Sequence, residues 1–375
     1  MSSSIPPESE SSQGGPGPHG QPPRPPVTSD ELLPPVEPPS ARFIIQLFVI
    51  PALIVAVVVL IWFGIESLAR SGEQDPDAIV AALRSSNQAR FQQAKELADM
   101  LRLPERYPEL KTNQELAQKL AAYLDEMIEA GSTAEAEVTM RIFLVTALGE
   151  FHVDDGLPVL IKAAQSDPER DVRRRAINAI AVLMDGLAEK KQTATRDELV
   201  AALLELADDQ DELIRSETAF ALGVVAASSA DNAELIAKLQ ELADDPYTDA
   251  RFNAAVGLAR AGAPGAARAV AEMLDPESIA ASVSGEKPLT EQVTDEQLAG
   301  QKAFKRNTII NSALTAIDRL LENPDTPRGE FAVLQTALET FIKAAPAMKE
   351  PAPVPGELVE AAERTLEKVK QRAAK

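Results

Sequence analysis

One residue pattern recurs at regular distances through the middle of the chain, and it restricts the fold more than any other feature of the sequence. In the segment 167–183, Arg173 follows Asp167 by six residues and opens a run of small and aliphatic residues. The same spacing returns in two further pairs, Asp209 with Arg215 and Asp245 with Arg251. The arginines stand 42 and then 36 residues apart (215 − 173 and 251 − 215). Recurrence at such a period is typical of units that cannot bury their apolar faces alone and therefore stack.

The residues after each arginine fit one face of an α-helix. When the residue before the arginine is position zero, the positions 4, 7, 8 and 11 residues later lie on the same face. Four helices fit this template: Met140, Leu144, Ala147, Leu148 and Phe151; Val172, Ala176, Ala179, Ile180 and Leu183; Ile214, Thr218, Ala221, Leu222 and Val225; and Ala250, Ala254, Gly257, Leu258 and Ala261. Only Thr218 is polar. Because the helices before Asp209 and Asp245 have an apolar face as well, the sequence predicts stacked helix pairs.

These residues resemble the HEAT-repeat family, whose units carry an aspartate near the turn between two helices and an arginine early in the second helix. The three Asp and Arg pairs match this pattern, and Arg141 matches it without its aspartate. The resemblance is close over residues 134–275 and loose over 77–133. It implies an all-α fold: a right-handed α-solenoid of stacked helix pairs, whose concave surface commonly serves as a scaffold for other proteins.

A second feature is a long apolar segment near the N-terminus. Residues 43–65 contain no charged side chain and only Gln46 as a polar one, and they suffice to cross a hydrocarbon layer of ~30 Å as a helix. We predict a transmembrane helix over 43–66, which makes the lipid bilayer a partner of the chain. A cleaved signal peptide ending near Ala69 is the alternative, but the apolar run exceeds the ~7–15 residues that such peptides use.

The charges that flank this segment do not decide its orientation. Arg24 and Arg42 precede it and Arg70 and Arg84 follow it, so the positive-inside count is equal on the two sides. N-terminal anchors commonly leave the body of the protein exported. We therefore expect a single-pass membrane protein whose solenoid lies on the exported side, with the cytoplasmic side as the alternative.

The remaining segments differ in composition. Residues 1–42 contain five Pro-Pro pairs among Ser, Gly and Glu, and they are predicted to form a disordered tail. The HEAT-like solenoid is predicted over 75–275. Residues 276–303 are polar and lack a second helix at the expected distance, which predicts an irregular insertion within a repeat. The helices of 304–375 are predicted to cap the solenoid. The first of them restores the apolar stripe, but its Arg306 stands one position out of register.

Composition excludes several kinds of function. The net charge of −21 makes nucleic acid an unlikely partner, because nucleic acids attract basic surfaces. The absence of cysteine excludes disulfides, thiolate metal sites and a cysteine nucleophile. Of the two histidines, His152 stands beside Asp154 and Asp155, where a metal site and an ordinary polar turn are both alternatives. We predict no cofactor, no metal site and no catalytic residues.

The charged residues of the repeat are the remaining candidates for a functional site. Asp167, Asp209 and Asp245, with the arginines that follow them, recur in each unit, whereas a catalytic pair occurs once. We interpret them as a structural ladder that caps helix ends and joins neighbouring repeats. A dense basic cluster is confined to one repeat, and it offers a docking site for a carboxylate-rich or phosphorylated partner: Arg170, Arg173, Arg174 and Arg175. We prefer the other interpretation, a solvated helix face that pairs with Glu169, Asp171 and the acidic residues of adjacent repeats.

The sequence thus leads to one main functional hypothesis and two alternatives. The main hypothesis is a membrane-tethered, non-enzymatic scaffold that binds a partner protein through its solenoid. The first alternative is an enzyme or enzyme-accessory protein, because some bacterial HEAT-like repeats resemble the phycobilin lyase family, which handles a chromophore. The second is an envelope protein that self-associates as a homo-oligomer through its membrane span or its stack.

Overall fold

Every regular element is helical in the part of the chain that the structure describes. The structure is a computed structural model that describes residues 42, 45–73, 75–85, 88–103, 105–107, 109–190, 197–229, 232–286 and 293–374. These residues form 16 α-helices and no strand, which confirms the all-α prediction. The predicted disordered tail, residues 1–42, lies outside the described residues except for its last one.

The chain divides into two units by its internal contacts, residues 1–68 and 69–375. In the first unit, a short π-helical segment, Ile45–Val49, leads into α1, Ile50–Glu73. Pro51 is the second residue of α1 and lies just after the π-helical segment, and it has no N–H to donate to the residues before it. The 20 residues Ile45–Gly64 have a mean hydropathy of 2.9 and no buried position. This helix is therefore long and apolar enough to cross a membrane by its length and composition.

The second unit contains fifteen α-helices among its described residues, starting after α1. They are α2 Pro76–Leu83, α3 Ala89–Leu101, α4 Gln114–Ala130, α5 Glu135–Gly149, α6 Leu157–Ser166, α7 Arg170–Glu189, α8 Asp197–Leu206, α9 Glu212–Ala227, α10 Ala233–Leu242, α11 Thr248–Arg260, α12 Ala266–Glu272, α13 Pro276–Ser284, α14 Asp295–Glu322, α15 Arg328–Ala344 and α16 Gly356–Ala374. Helices α5, α7, α9 and α11 are the four that carry the repeated arginine.

The helices of this unit pack in two alternating series. In one series α3, α5, α7, α9, α11, α14 and α16 each contact the next, and in the other α4, α6, α8 and α10 do so. The predicted stripe residues are buried in this packing, except for Ala261, which is half-buried. The hydroxyl of the polar member, Thr218, donates to the carbonyl of Ile214 at 2.8 Å. That bond satisfies the hydroxyl inside an apolar core.

Small residues allow successive arginine-bearing helices to approach closely. A Cβ atom added to Gly223 on α9 would lie 2.4 Å from the Cα atom of Gly257 on α11. A Cβ atom on Gly149 of α5 would lie 2.8 Å from the Cα atom of Ala179 on α7. The two crossings use equivalent positions of the repeat. Gly149 and Gly223 each stand nine residues after position zero of their helix, and Ala179 and Gly257 each stand seven residues after it. Helix backbones therefore touch where the repeat has no side chain beyond a methyl group.

The segment 276–303 differs from the irregular insertion that we expected. It contains α13 and the first two turns of α14, and residues 287–292 lie outside the described part. The carboxylate of Asp275 accepts the amide of Ser278 at 2.8 Å, and Pro276 opens α13. Thr294 and Gln297 form a capping box at the start of α14. Two of the polar residues that suggested a loop, Thr294 and Gln297, therefore cap a helix.

Candidate functional site

Three of the four arginines of the repeat bind an acidic residue of the following unit. Arg141 and Asp167 are both fully buried, with 2.7 Å between Nε and Oδ2 and 3.2 Å between Nη2 and Oδ1. Arg215 holds Asp245 in the same two-pronged way at 2.7 and 3.0 Å. At the next junction a glutamate takes the place of the aspartate: Arg251 binds Glu272 at 2.8–2.9 Å. Such bidentate pairs fix the orientation as well as the distance of neighbouring units.

The same residues also close the turn within their own unit. One guanidinium nitrogen of each arginine donates to the carbonyl oxygen of the aspartate six residues earlier: Arg173 to Asp167 at 3.0 Å, Arg215 to Asp209 at 2.9 Å and Arg251 to Asp245 at 2.8 Å. The aspartate side chain accepts the amide two residues later in all three turns. Each predicted ladder residue therefore lies at a turn between two helices.

Two of the ladder aspartates differ in their ionic environment. Burial alone would raise the pKa of the Asp245 carboxyl, but hydrogen bonds from Arg215 and from the Tyr247 amide hold it below its usual value. The hydrogen bond to Asp245 raises the pKa of Arg215 in turn. Asp209 has no arginine within salt-bridge distance among the described residues, and its carboxylate accepts only the amide of Asp211. The ladder is therefore incomplete at the turn before α9.

The basic cluster that we considered as a docking site is largely engaged within the chain. Arg173 closes its own turn, as described above. Arg174 binds Glu217 at 2.9 Å, and Arg170 lies 3.7–3.8 Å from Asp171 and Asp211. Arg175 is exposed and forms no ion pair in the part of the chain that the structure describes. Of the four arginines, only Arg174 lines the cavity that is described next.

That cavity, which we call the groove, lies along α7, α9, α11 and the first turns of α14, and its volume is about 780 Å³. Three of the eleven phenylalanines of the chain line it, namely Phe220, Phe252 and Phe304, together with Val256 and Ile309. Phe304 is 74% exposed although its ring is wholly apolar. An exposed aromatic ring beside a concave apolar wall is typical of a binding surface.

A hydrogen-bond network holds α14 against α11 and α13 at one side of the groove. The Asp249 carboxylate accepts the Tyr247 hydroxyl at 3.0 Å, the Lys305 ammonium at 2.7 Å and the Ser282 hydroxyl. Lys305 also lies 3.2 Å from Glu286. Burial raises the pKa of the Tyr247 phenol, and the adjacent Asp249 carboxylate raises it further, so the phenol stays protonated and remains a donor. The wall that carries Phe304 is therefore fixed in place.

Two residues that line the groove each have a buried polar atom without a hydrogen-bond partner among the described residues. The atoms are Nε of Arg174 and Oε1 of Gln301. Elsewhere, three such atoms occur. Arg141 Nε and Asp167 Oδ2 lie 2.7 Å apart in their ion pair, and the third is Asp155 Oδ2. A buried donor or acceptor without a partner costs about 1–3 kcal/mol. Both residues line the groove, but these two atoms are themselves buried.

The histidine that we considered as a metal ligand lies elsewhere. The backbone amide of His152 donates to the Lys111 carbonyl at 2.7 Å, and burial together with nearby Lys111 and Lys190 lowers the pKa of its imidazole. The carboxylate of Asp155 accepts the Gln118 amide at 2.7 Å. Within the described ranges, no group of three or more His, Asp or Glu side chains is arranged to hold a metal ion.

The groove could not be located from the sequence, because α14 meets α11 across a segment that we expected to be irregular. Phe304 was available as a signal, since aromatic residues make up only 4% of the chain and this one stands at the start of a helix. Gln301 and Lys305 precede and follow it by less than one helical turn. That Gln301, Phe304 and Lys305 lie on the face of α14 toward α11 can be recognised only when the first residue of α14 is known.

Comparisons with known proteins do not assign the chain to a family. No protein-family model matches it, and no curated protein matches it. Two crystal structures of engineered proteins align with most of it. One shares 18% identity at a TM-score of 0.34, covering 80% of this chain and 97% of the engineered one. The other shares 14% identity at a TM-score of 0.22, covering 79% and 99%. At these scores, neither structure supports a conclusion about fold or function.

Proposed function

We propose that this protein is a membrane-tethered scaffold of the HEAT type, without catalytic activity, which holds a segment of a partner protein in the groove. The observation that carries the proposal is the exposed ring of Phe304, which is 74% accessible, in a cavity of about 780 Å³ with aromatic walls. A partner that covers this ring removes apolar surface from water, which favours binding.

A protein segment has the chemistry that fits a groove with apolar and polar walls. Each peptide unit presents a carbonyl acceptor and an N–H donor, and its side chains supply apolar groups for the space between Phe220, Phe252 and Phe304. The network around Asp249 holds the wall in place before the partner arrives, so little conformational entropy is lost on binding. Interface hot spots are enriched in this kind of aromatic, desolvated surface.

Two features support the architecture that the proposal assumes. Helices α5, α7, α9 and α11 bury equivalent stripes and each contacts the next, which is the packing that an α-solenoid requires. The apolar helix Ile45–Gly64 has the length of a single membrane span. We expect the groove-bearing unit on the exported side. Reporter fusions at the C-terminus, one active only in the cytoplasm and one only outside it, test this orientation.

Photo-crosslinking in the native membrane tests the proposed function. A benzophenone side chain is introduced into the full chain at Phe304 or at Thr308, which both line the groove. The control position is Val333 on α15, which is 42% exposed and does not line the groove. We expect the same protein to be crosslinked from both groove positions and not from the control.

The captured protein must then bind the purified full chain directly. We expect Phe304→Ser to weaken that binding at least tenfold, because a buried aromatic anchor contributes ~2 kcal/mol or more, and each 1.4 kcal/mol changes affinity tenfold. Val333→Ser should leave the binding unchanged. Equal crosslinking from all three positions, or equal affinity of the two serine variants, contradicts the proposal. Catalytic turnover of a substrate by the purified chain contradicts the absence of an activity.

A further inference from the structure

A second buried arginine distinguishes the C-terminal part of the chain from the repeats. Among the described residues only Arg141 and Arg306 are almost fully buried arginines, at 0% and 1% exposure. Arg141 has a buried carboxylate partner, Asp167. Arg306 has no carboxylate within salt-bridge distance in the described part of the chain. Its guanidinium donates to Asn307 and to the carbonyls of Ala352 and Pro353.

The shifted register explains why Arg306 is buried. The stripe on α14 comprises Ile310, Ala313, Leu314 and Ile317, which follow Arg306 by 4, 7, 8 and 11 residues. Arg306 therefore occupies position zero itself, where the four repeats place apolar residues that are all completely buried: Met140, Val172, Ile214 and Ala250. A charge stands where the fold puts a hydrophobic side chain. Neutral acceptors satisfy four of its five N–H groups, and none of them compensates the charge.

Arg306 is one of the residues that line a cavity of about 260 Å³. Its walls are mainly apolar and come from α13 and from the segment 347–351; they include Ile279, Val283 and Met348. The volume lies just below the ~300–1,000 Å³ of pockets that hold drug-sized ligands, so it suits a small molecule or a single terminal residue. Burial lowers the pKa of Arg306, and no neighbouring group raises it. Even so, arginine remains charged at neutral pH.

We propose that this cavity binds an aliphatic carboxylate, whose anionic group pairs with Arg306 and whose hydrocarbon chain fills the space along Ile279 and Val283. Arg141 has a carboxylate partner in Asp167, whereas Arg306 has none among the described residues and keeps one N–H, on Nη1, for a ligand. The carboxylate comes either from a small organic acid or from the C-terminal residue of another protein, because both present the same group. This site is separate from the groove and does not depend on the function proposed for it.

Titration calorimetry with the purified full chain in detergent tests the site. The probes are sodium butyrate with 1-butanol as its uncharged match, and N-acetylvaline with N-acetylvalinamide as a mimic of a protein C-terminus. We expect saturable binding of at least one carboxylate and none of its uncharged match. If only butyrate binds, the source is a small acid; if only N-acetylvaline binds, it is a chain terminus. Binding of neither carboxylate, or equal binding of an acid and its match, overturns the proposal.

Three variants locate the binding. Arg306→Gln should weaken it at least tenfold, whereas Arg175→Gln removes the same charge from an exposed position and should leave it unchanged. Because Arg306→Gln is at risk of misfolding, Ala280→Trp serves as a second test: Ala280 is exposed at the cavity, and an indole there fills the space without touching the charge. Retained binding in a folded Ala280→Trp variant overturns the proposal.

Glu350 is the one carboxylate that lines the cavity from within the chain. The variant Glu350→Gln shows whether it competes for Arg306. We expect carboxylate affinity to change less than threefold in this variant. If the parent chain binds no carboxylate and Glu350→Gln does, then Glu350 is the counterion and the proposal of an external ligand is wrong.

Discussion

The closest helix crossing in the structure leads to a quantitative prediction about stability. Gly223 on α9 faces Gly257 on α11, and a Cβ atom at Gly223 would lie 2.4 Å from the Gly257 Cα atom. Carbon atoms in contact are ~3.5–4.0 Å apart, so the variant Gly223→Ala requires the two helices to separate by at least ~1 Å. The obstacle is backbone within a packed layer, which cannot rotate away as a side chain can.

The expected magnitude follows from two opposing effects. Overpacking of a well-packed core costs ~1–3 kcal/mol, and the upper end applies here because backbone meets backbone. Replacing glycine by alanine inside a helix contributes ~1 kcal/mol in the favourable direction. The net expectation is a loss of about 2 kcal/mol in the free energy of unfolding. Both helices also lose contacts with their neighbours in the stack, so the unfolding transition should begin at lower denaturant.

Gly300→Ala is the matched control, since Gly300 is also inside a helix, α14, and a Cβ atom there meets nothing within 4 Å. This variant should gain up to ~1 kcal/mol from helix propensity alone. The measurement is urea unfolding of the full chain in detergent, followed by circular dichroism. If Gly223→Ala is as stable as Gly300→Ala, then α9 and α11 are not packed through their glycines and the stacking described above is wrong.

Three further predictions concern ionic and titrating groups. Arg141→Ala leaves the buried Asp167 carboxylate uncompensated and should cost ~3–5 kcal/mol in urea unfolding, whereas Arg175→Ala should change stability by less than ~0.5 kcal/mol. The pKa of the Asp245 carboxyl is lower in the folded state than its unfolded value of about 4. The ionised carboxylate therefore stabilises the fold above pH ~4, and this stabilisation is lost as the pH falls through the folded pKa. Asp245→Asn should reduce the slope of the free energy of unfolding against pH in that acidic range. The pKa of the His152 imidazole is also lower in the folded state, so the unfolded chain binds the proton more readily. The free energy of unfolding should therefore fall as the pH drops below ~6.5. His152→Gln should abolish that slope in unfolding experiments between pH 8 and 5.

The repeated part of the chain could be predicted because its pattern depends on residues that are close in the sequence, and because the same pattern occurs several times. The buried stripe follows from helical periodicity at positions such as Val172 and Ile180, and four helices give the same pattern independently. The aspartates at the turns have both the capping chemistry and the spacing that place them there. What the sequence leaves open is the partner of each arginine. The pairing of Arg141 with Asp167 in the next unit depends on the distance between helices, which periodicity does not give.

The groove and the second cavity could not be predicted because each depends on contacts between segments that are far apart in the sequence. Lys305 binds Asp249 across 56 positions, and Arg306 reaches the carbonyl of Pro353 across 47. The polar residues around Thr294 suggested a loop, and this concealed the start of α14. The one-position shift of Arg306 was visible in the sequence, but its meaning required the knowledge that position zero is buried.

The arginine ladder gives the array a direction. Arg141, Arg215 and Arg251 each reach toward the C-terminus to an acid of the following unit. These three junctions have the same polarity, because the cation always belongs to the earlier unit and the anion to the later one. The junction between α7 and α9 lacks such a pair among the described residues, since Arg173 binds only backbone carbonyls. The contacts between α7 and α9 therefore depend on apolar packing alone at the position where the other three junctions add an ion pair.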